Sequence, residues 1–182
     1  MSGDPFLKAI EYHGLSVAPA LLEFHGGTGE KRYHGRCTIM RGRGPLIRLA
    51  LWLGRFPPAA QDQSIRLAMH IGPGESRWLR GFGGHPTAST LRFDSDRGEV
   101  IERFGALRVA MRPTVCDDTL HFSITRLWVM GVRLPRILLP RSATHERAGE
   151  NGRVHFDVSA RAPVLGMLIR YVGWLDPVPK EK

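Results

Sequence analysis

Cysteine is scarce in this chain. Cys37 and Cys116 have neither CxxC spacing nor a histidine pair beside them. That removes the usual support for a metal site, and both are expected to be small residues of the core. No stretch approaches the ~20 consecutive apolar residues that span a bilayer, so no transmembrane segment is expected. The opening Met1-Ser2-Gly3-Asp4-Pro5 lacks a basic stretch followed by an apolar one. A secretory signal is therefore not expected, and the cytoplasm is the expected compartment.

Local catalytic signatures are missing too. Ser64, Ser76, Ser89 and Ser123 fall in or beside strands, but none sits in a G-x-S-x-G elbow. Gly42-Arg43-Gly44 and Gly81-Phe82-Gly83-Gly84 lack the dinucleotide fingerprint and its strand-to-helix setting. They read as turns or bulges, and no cofactor is expected. No nucleophile, base and orienting group are written near one another, so the reading leans away from an enzyme.

Acidic residues are in deficit. Seventeen Asp and Glu stand against 26 Lys and Arg, giving a formal charge of +9 and a pI near 10.5. Such a surface attracts nucleic acid, anionic lipid or acidic ligands over a Debye length of ~8 Å. The excess is nearly all arginine, spread along the chain. GC-rich coding accounts for that composition equally well.

What the chain has in abundance is alternation. Ile65, Leu67, Met69 and Ile71 share one parity while Arg66, Ala68 and His70 share the other. The pattern recurs at Leu107 to Arg112, Leu120 to Thr125 and Arg153 to Val158, as expected for half-buried antiparallel strands. Gly72-Pro73-Gly74, Ser95 to Gly98, Asp117-Asp118 and Gly149 to Gly152 supply hairpin turns. Pro113 is expected to end the ladder before it. With the weaker segments Glu75 to Phe82, His85 to Phe93, Glu99 to Phe104 and Leu168 to Leu175, about eight to ten strands result, a number at which a twisted sheet curls or closes. Ala143 to Arg147, polar on both faces, fits either an edge or a wet interior.

Two short helices precede this meander. Val17 to His25 is expected to be capped by Ser16, to pack Leu21, Leu22 and Phe24 inward and to stop at Gly26-Gly27. Lys31 to Arg41 reads as a strand. Pro45 then starts a helix over Leu46 to Leu53, whose stripe of Leu46, Leu49, Ala50 and Leu53 is expected to plug the core. The predicted organisation is one domain over residues 1–182: an N-terminal segment 1–27, a sheet domain 28–175 with its helix at about 45–54, and a tail 176–182. The segment Trp128 to Pro140 is too apolar for a solvated loop and too proline-rich for a central strand. It is expected to pack as a cap over one barrel mouth, with a mobile lid or a surface meeting lipid or a partner as alternatives.

A few residues carry chemistry. Asp117 and Asp118 are adjacent and read as turn formers. His121 and His155, on polar strand faces, could face each other or solvent. Glu102 shares a parity with Val100 and Phe104, so a buried carboxylate there needs a partner, which Arg103 on the opposite face cannot be. Trp78, Arg80 and Phe82 project from one strand face. They could line a pocket for an amphiphile, stack bases, or pack Arg80 over Trp78.

Several words of the sequence form a further pattern: Arg32-Tyr33-His34-Gly35-Arg36-Cys37, Gly42-Arg43-Gly44-Pro45-Leu46, Phe82-Gly83-Gly84, Glu102-Arg103-Phe104-Gly105, Leu134-Pro135 with Leu139-Pro140, and Arg170-Tyr171-Val172-Gly173-Trp174-Leu175. Together, over roughly His25 to Leu175, they resemble the bacterial domain-of-unknown-function family 4166. That resemblance implies a module found alone or fused to reductase-like dinucleotide-binding domains, and it brings no catalytic residues. It favours Arg36, Arg103, Tyr171 and Trp174 for any shared site.

The expected fold is mainly β, a curled antiparallel barrel or half-barrel of lipocalin-like or lipoprotein-carrier-like kind. The expected function is binding of a lipid-like or apolar anionic ligand, with Trp78, Trp128 and Trp174 near the pocket and Arg80 or Arg103 at the acidic head. The alternatives are a non-catalytic module docking onto a reductase-like partner through the proline-rich segment, and nucleic-acid binding through the basic surface.

Overall fold

The computed structural model describes residues 3–179, so Met1, Ser2 and the last residues of the predicted tail lie outside the described part. The chain begins with a helix that the sequence reading did not anticipate. Asp4 accepts from the amides of Phe6 (2.8 Å) and Leu7 (3.1 Å) through Oδ1, and Pro5 takes the first turn of α1, Pro5–Tyr12. Both are standard helix-starting devices. Phe6, Ala9 and Ile10, spaced for one helical face, are buried. α2, Pro19–His25, follows with Ala18 and not Ser16 at its N-cap, and it buries Leu21, Phe24 and His25. Leu22 stays exposed.

β1, Gly29–Arg41, leads through α3, Pro45–Leu53, to β2, Ala60–Ile71. A meander continues through β3 (Ser76–Phe82), β4 (His85–Asp94), β5 (Glu99–Phe104), β6 (Leu107–Cys116) and β7 (Thr119–Val129). Two short strands, β8 (Val132–Arg133) and β9 (Arg141–Ser142), precede β10 (Thr144–Ala148), β11 (Val154–Ala162) and β12 (Gly166–Pro177). β1 pairs with β12 as well as β2, and β10 pairs with both β11 and β7. Ten strands therefore close into an antiparallel barrel, leaving β8 and β9 as appendages. The segment that could have been an edge, Ala143 to Arg147, is the strand that closes the ring.

Closure requires β1 and β12 to approach closely, and glycine permits it. A Cβ on Gly35 would stand 1.8 Å from the Trp174 carbonyl oxygen, and one on Gly173 would stand 2.2 Å from that of Arg36. The hairpin at Asp117-Asp118 holds both residues in the left-handed region, with φ of 49° and 56°. That is the conformation of a two-residue hairpin turn, so these aspartates are turn formers.

Four further expectations change. β6 runs through Pro113, which is buried opposite Phe122. Pairing with β5 ends at Met111, so no β5 partner faces Pro113, and the missing amide costs nothing there. Cys116, expected in the core, is exposed at the end of that strand, while Cys37 is buried. α3 turns Ile47 and Leu51 inward and leaves Leu46, Leu49 and Trp52 exposed, so of the stripe expected to plug the core Leu46 and Leu49 face out while Ala50 and Leu53 are half-buried. In the proline-rich segment Pro140 is buried, but Met130, Val132, Ile137 and Leu138 are exposed.

The two barrel ends are unlike. α1 and α2 pack across one, with His13 Nε2 2.9 Å from the Gly98 carbonyl and Lys8 donating to that of Pro73. The other carries α3 and the β3–β4, β5–β6, β7–β10 and β11–β12 connections. None of the described helices is long and apolar enough to cross a membrane.

Candidate functional site

Strand parity decides which side chains reach the barrel interior. On β3 it turns Trp78, Arg80 and Phe82 inward, on β5 Glu102 and Phe104, on β10 Glu146, and on β12 Tyr171. Between them lies a cavity of about 200 Å³ whose wall includes all of these residues. Most of the remaining wall is apolar, for example Phe56, Met111, Phe122 and Phe156. The cavity extends from Phe6 and Phe24 at the helix-capped end to Gly54, Arg55 and Pro57 below α3.

Two polar constructions interrupt the apolar wall. In the first, Arg80 donates to Glu102 Oε1 at 3.0 Å and to Ser89 Oγ at 2.8 Å, with its guanidinium 4.9 Å from the centre of the Trp78 ring. Arg80 is thus the partner that a buried Glu102 requires, and it also lies over the indole. Phe82 stacks on Tyr171 at 5.6 Å. Burial pushes the Tyr171 phenol above its ordinary range, outweighing the downward pull of Arg80 and Arg41.

The second construction was not legible as a site. His25 is fully buried between two carboxylates, with Nδ1 3.1 Å from Asp4 Oδ2 and Nε2 2.8 Å from Glu146 Oε2. Burial alone would lower its pKa, but the charges and hydrogen bonds of Asp4 and Glu146 outweigh that and raise it to about 10. The imidazolium is therefore the resident form at neutral pH. Its ring stacks on Trp78 at 6.1 Å, so the triad lies behind the cavity wall and reaches the lining through Glu146.

One donor in this wall is unspent. Among the described residues three buried side-chain atoms lack a hydrogen-bond partner: Ser76 Oγ, His85 Nε2 and Trp78 Nε1. Of their residues, only Trp78 lines the cavity. An unpaired buried indole N–H is costly, and because Nε1 itself is closed off, an acceptor in the cavity relieves it only with a small shift of the ring. The described residues contain no cluster of three or more His, Cys, Asp or Glu side chains that could hold a metal ion.

Of the eight residues singled out from sequence, the barrel brings Trp78, Arg80, Phe82 and Tyr171 together at the cavity. The other four lie on the outer face. Arg36 forms a two-pronged pair with Asp62 through Nε (2.6 Å) and Nη2 (2.8 Å). Arg103 is exposed, Trp128 lies under Arg108 at 4.1 Å, and Trp174 lies under Arg153 at 4.1 Å. Parity separates them: Arg103 and Trp174 each neighbour an inward residue of the same strand. His121 faces His145 across strands at 5.6 Å and not His155.

The sequence does not mark Asp4, His25, Glu146 or Arg55 as site residues. Asp4-Pro5 is a legible helix start. Nothing local, however, joins positions 4, 25 and 146.

Comparison with known proteins gives a family and related solved structures. The model of a domain of unknown function (DUF4166) matches residues 17–175. The crystal structure of Rv2717c from M. tuberculosis is similar at a TM-score of 0.43 and 13% identity, over 90% of this chain and 100% of that one. No curated protein matches the chain.

Proposed function

We propose that this chain, which belongs to the DUF4166 family, binds a small lipid-like or other apolar acidic ligand inside its barrel. The observation that carries the reading is the apolar cavity of about 200 Å³ with Trp78 Nε1 unpartnered in its wall. A ligand oxygen that reaches the indole N–H with a small shift of the ring would satisfy the donor, while the aromatic walls take the apolar body. The volume lies below the roughly 300–1,000 Å³ of drug-sized sites, which favours a slender ligand over a bulky one. Arg80 already has Glu102 and lies over the Trp78 ring, so the acidic head belongs at that indole, while the exposed Arg55 stands at the cavity's other end.

The test is native mass spectrometry of the purified protein, with solvent extraction of whatever accompanies it, and titration with decanoate followed by tryptophan fluorescence. A stoichiometric amphiphile, or saturable decanoate binding weakened about fivefold in Trp78→Phe, is the expected result, since a hydrogen bond contributes ~1 kcal/mol. A bare mass together with no response to decanoate or longer fatty acids would overturn the reading.

A further inference from the structure

The topology gathers at one place what the sequence scatters. The connections at the end of the barrel opposite α1 and α2 span residues 42–59, 83–84, 105–106, 130–143 and 163–165. They contain six arginines, Arg43, Arg48, Arg55, Arg133, Arg136 and Arg141, and no Asp or Glu. All six are exposed, and none forms an ion pair with any described residue.

The same connections carry nine of the thirteen exposed large apolar side chains among the described residues. α3 presents Leu46, Leu49 and Trp52 as an outward stripe, with Trp52 72% exposed. Ile137 and Leu138 stand out from a single 3-10 turn. Met130 and Val164 sit at hairpin tips with φ of 51° and 65°, where glycine or asparagine would be less strained. A β-branched residue held there fully exposed gains nothing from folding. Isolated exposed apolar residues need no explanation, but nine on one set of acid-free connections form a surface to be covered.

We propose that this end docks onto the face of an anionic phospholipid bilayer. An outward apolar stripe with a tryptophan, rimmed by unpaired arginines, is the pattern of an element lying in the headgroup region. The arginines supply the long-range attraction and the phosphate contacts, and the apolar side chains insert. The cavity reaches Gly54 and Arg55 at this same end, so docking sets its mouth against the lipid. The surface argument uses no interior residue and stands whether or not the cavity holds a ligand.

The experiment is sedimentation of the full chain with phosphatidylcholine vesicles, with and without phosphatidylglycerol, at low and raised salt. Binding is expected only to the anionic vesicles. Leu46→Ser with Trp52→Ser, and separately Arg48→Gln with Arg136→Gln, should each weaken it on the order of tenfold. Thermal midpoints of these variants should stay those of the parent, and Trp78→Phe, which tests the cavity, should sediment unchanged. Brominated lipid should quench the parent more than Trp52→Phe.

Absence of binding to anionic vesicles at low salt would overturn the proposal, as would equal binding to neutral ones. Binding that duplex DNA displaces and the apolar substitutions leave intact would replace it with an electrostatic nucleic-acid surface.

Discussion

The two ends of this barrel are built from the same strands and solve opposite problems. At the helix-capped end the connections carry Asp4, Glu11, Glu23, Glu75, Asp96, Asp117, Asp118 and Glu150, and α1 and α2 bury Phe6, Ile10, Leu21 and Phe24 into the core. At the far end the connections hold no carboxylate, and α3 buries only Ile47 and Leu51 while exposing three large side chains. Apolar surface at the first end is spent on folding; at the second it is held in reserve. Mutations at the two ends should therefore separate stability from binding.

His25 gives the largest expected effect. His25→Ala would leave Asp4 and Glu146 buried without the cation between them. Breaking a buried ionic set in this way costs ~3–5 kcal/mol, a large share of the roughly 5–15 kcal/mol that holds a domain together. Urea unfolding followed by circular dichroism measures it. A cost below about 1 kcal/mol would mean that the triad does not anchor the capped end.

The same residue sets a pH dependence. The folded pKa of about 10 lies above the ordinary value of 6.5, so the folded state binds the proton more tightly than the unfolded chain does. The stability gained is complete below about pH 6.5 and is lost as pH rises toward 10. Thermal midpoints across that window should fall in the parent and fall less steeply in His25→Gln. Parallel curves would show that His25 is neutral in the folded protein.

A smaller effect is expected between the ends, at the Arg80–Glu102 pair. Glu102→Gln removes one charge of a hydrogen-bonded pair in the cavity wall, a change of ~1.5–3 kcal/mol by the usual value of charged hydrogen bonds. It also frees the Arg80 cation toward the cavity. Decanoate should bind more tightly to Glu102→Gln than to the parent, even though the variant is less stable. Unchanged binding would place the acidic head away from Arg80, at Arg55.

How far this contrast could be read from sequence depends on the range of each signal. Alternation is local, so strand parity placed Trp78, Arg80 and Phe82 on one face and called for a partner at Glu102. Closure is not local. Nothing in the polar segment Ala143 to Arg147 says that it pairs with β7 as well as β11. α3 is apolar nearly all round, so its periodicity could not tell the inward pair Ile47 and Leu51 from the outward stripe. The triad joins positions 4, 25 and 146, and the arginine-rich end joins five separate connections. Both exist only once the topology is known, which is why the arginines read as an even scatter along the chain.

The smallest effect on stability is expected at the exposed end, and it is the one that sharpens the contrast most. Trp52 and Ile137 are 72% and 80% exposed, so Trp52→Ser and Ile137→Ser remove little buried area. Each should shift unfolding by no more than about 0.5 kcal/mol, the range of ordinary surface substitutions. On helix propensity alone, serine in place of tryptophan in α3 is close to neutral. Urea midpoints indistinguishable from the parent would establish that these side chains serve no folding role, leaving a contact outside the chain as the reason to expose them. A loss of 2 kcal/mol or more, on the scale of burying a large apolar side chain, would instead place Trp52 and Ile137 in the packing of the fold, and the two ends would no longer differ in kind.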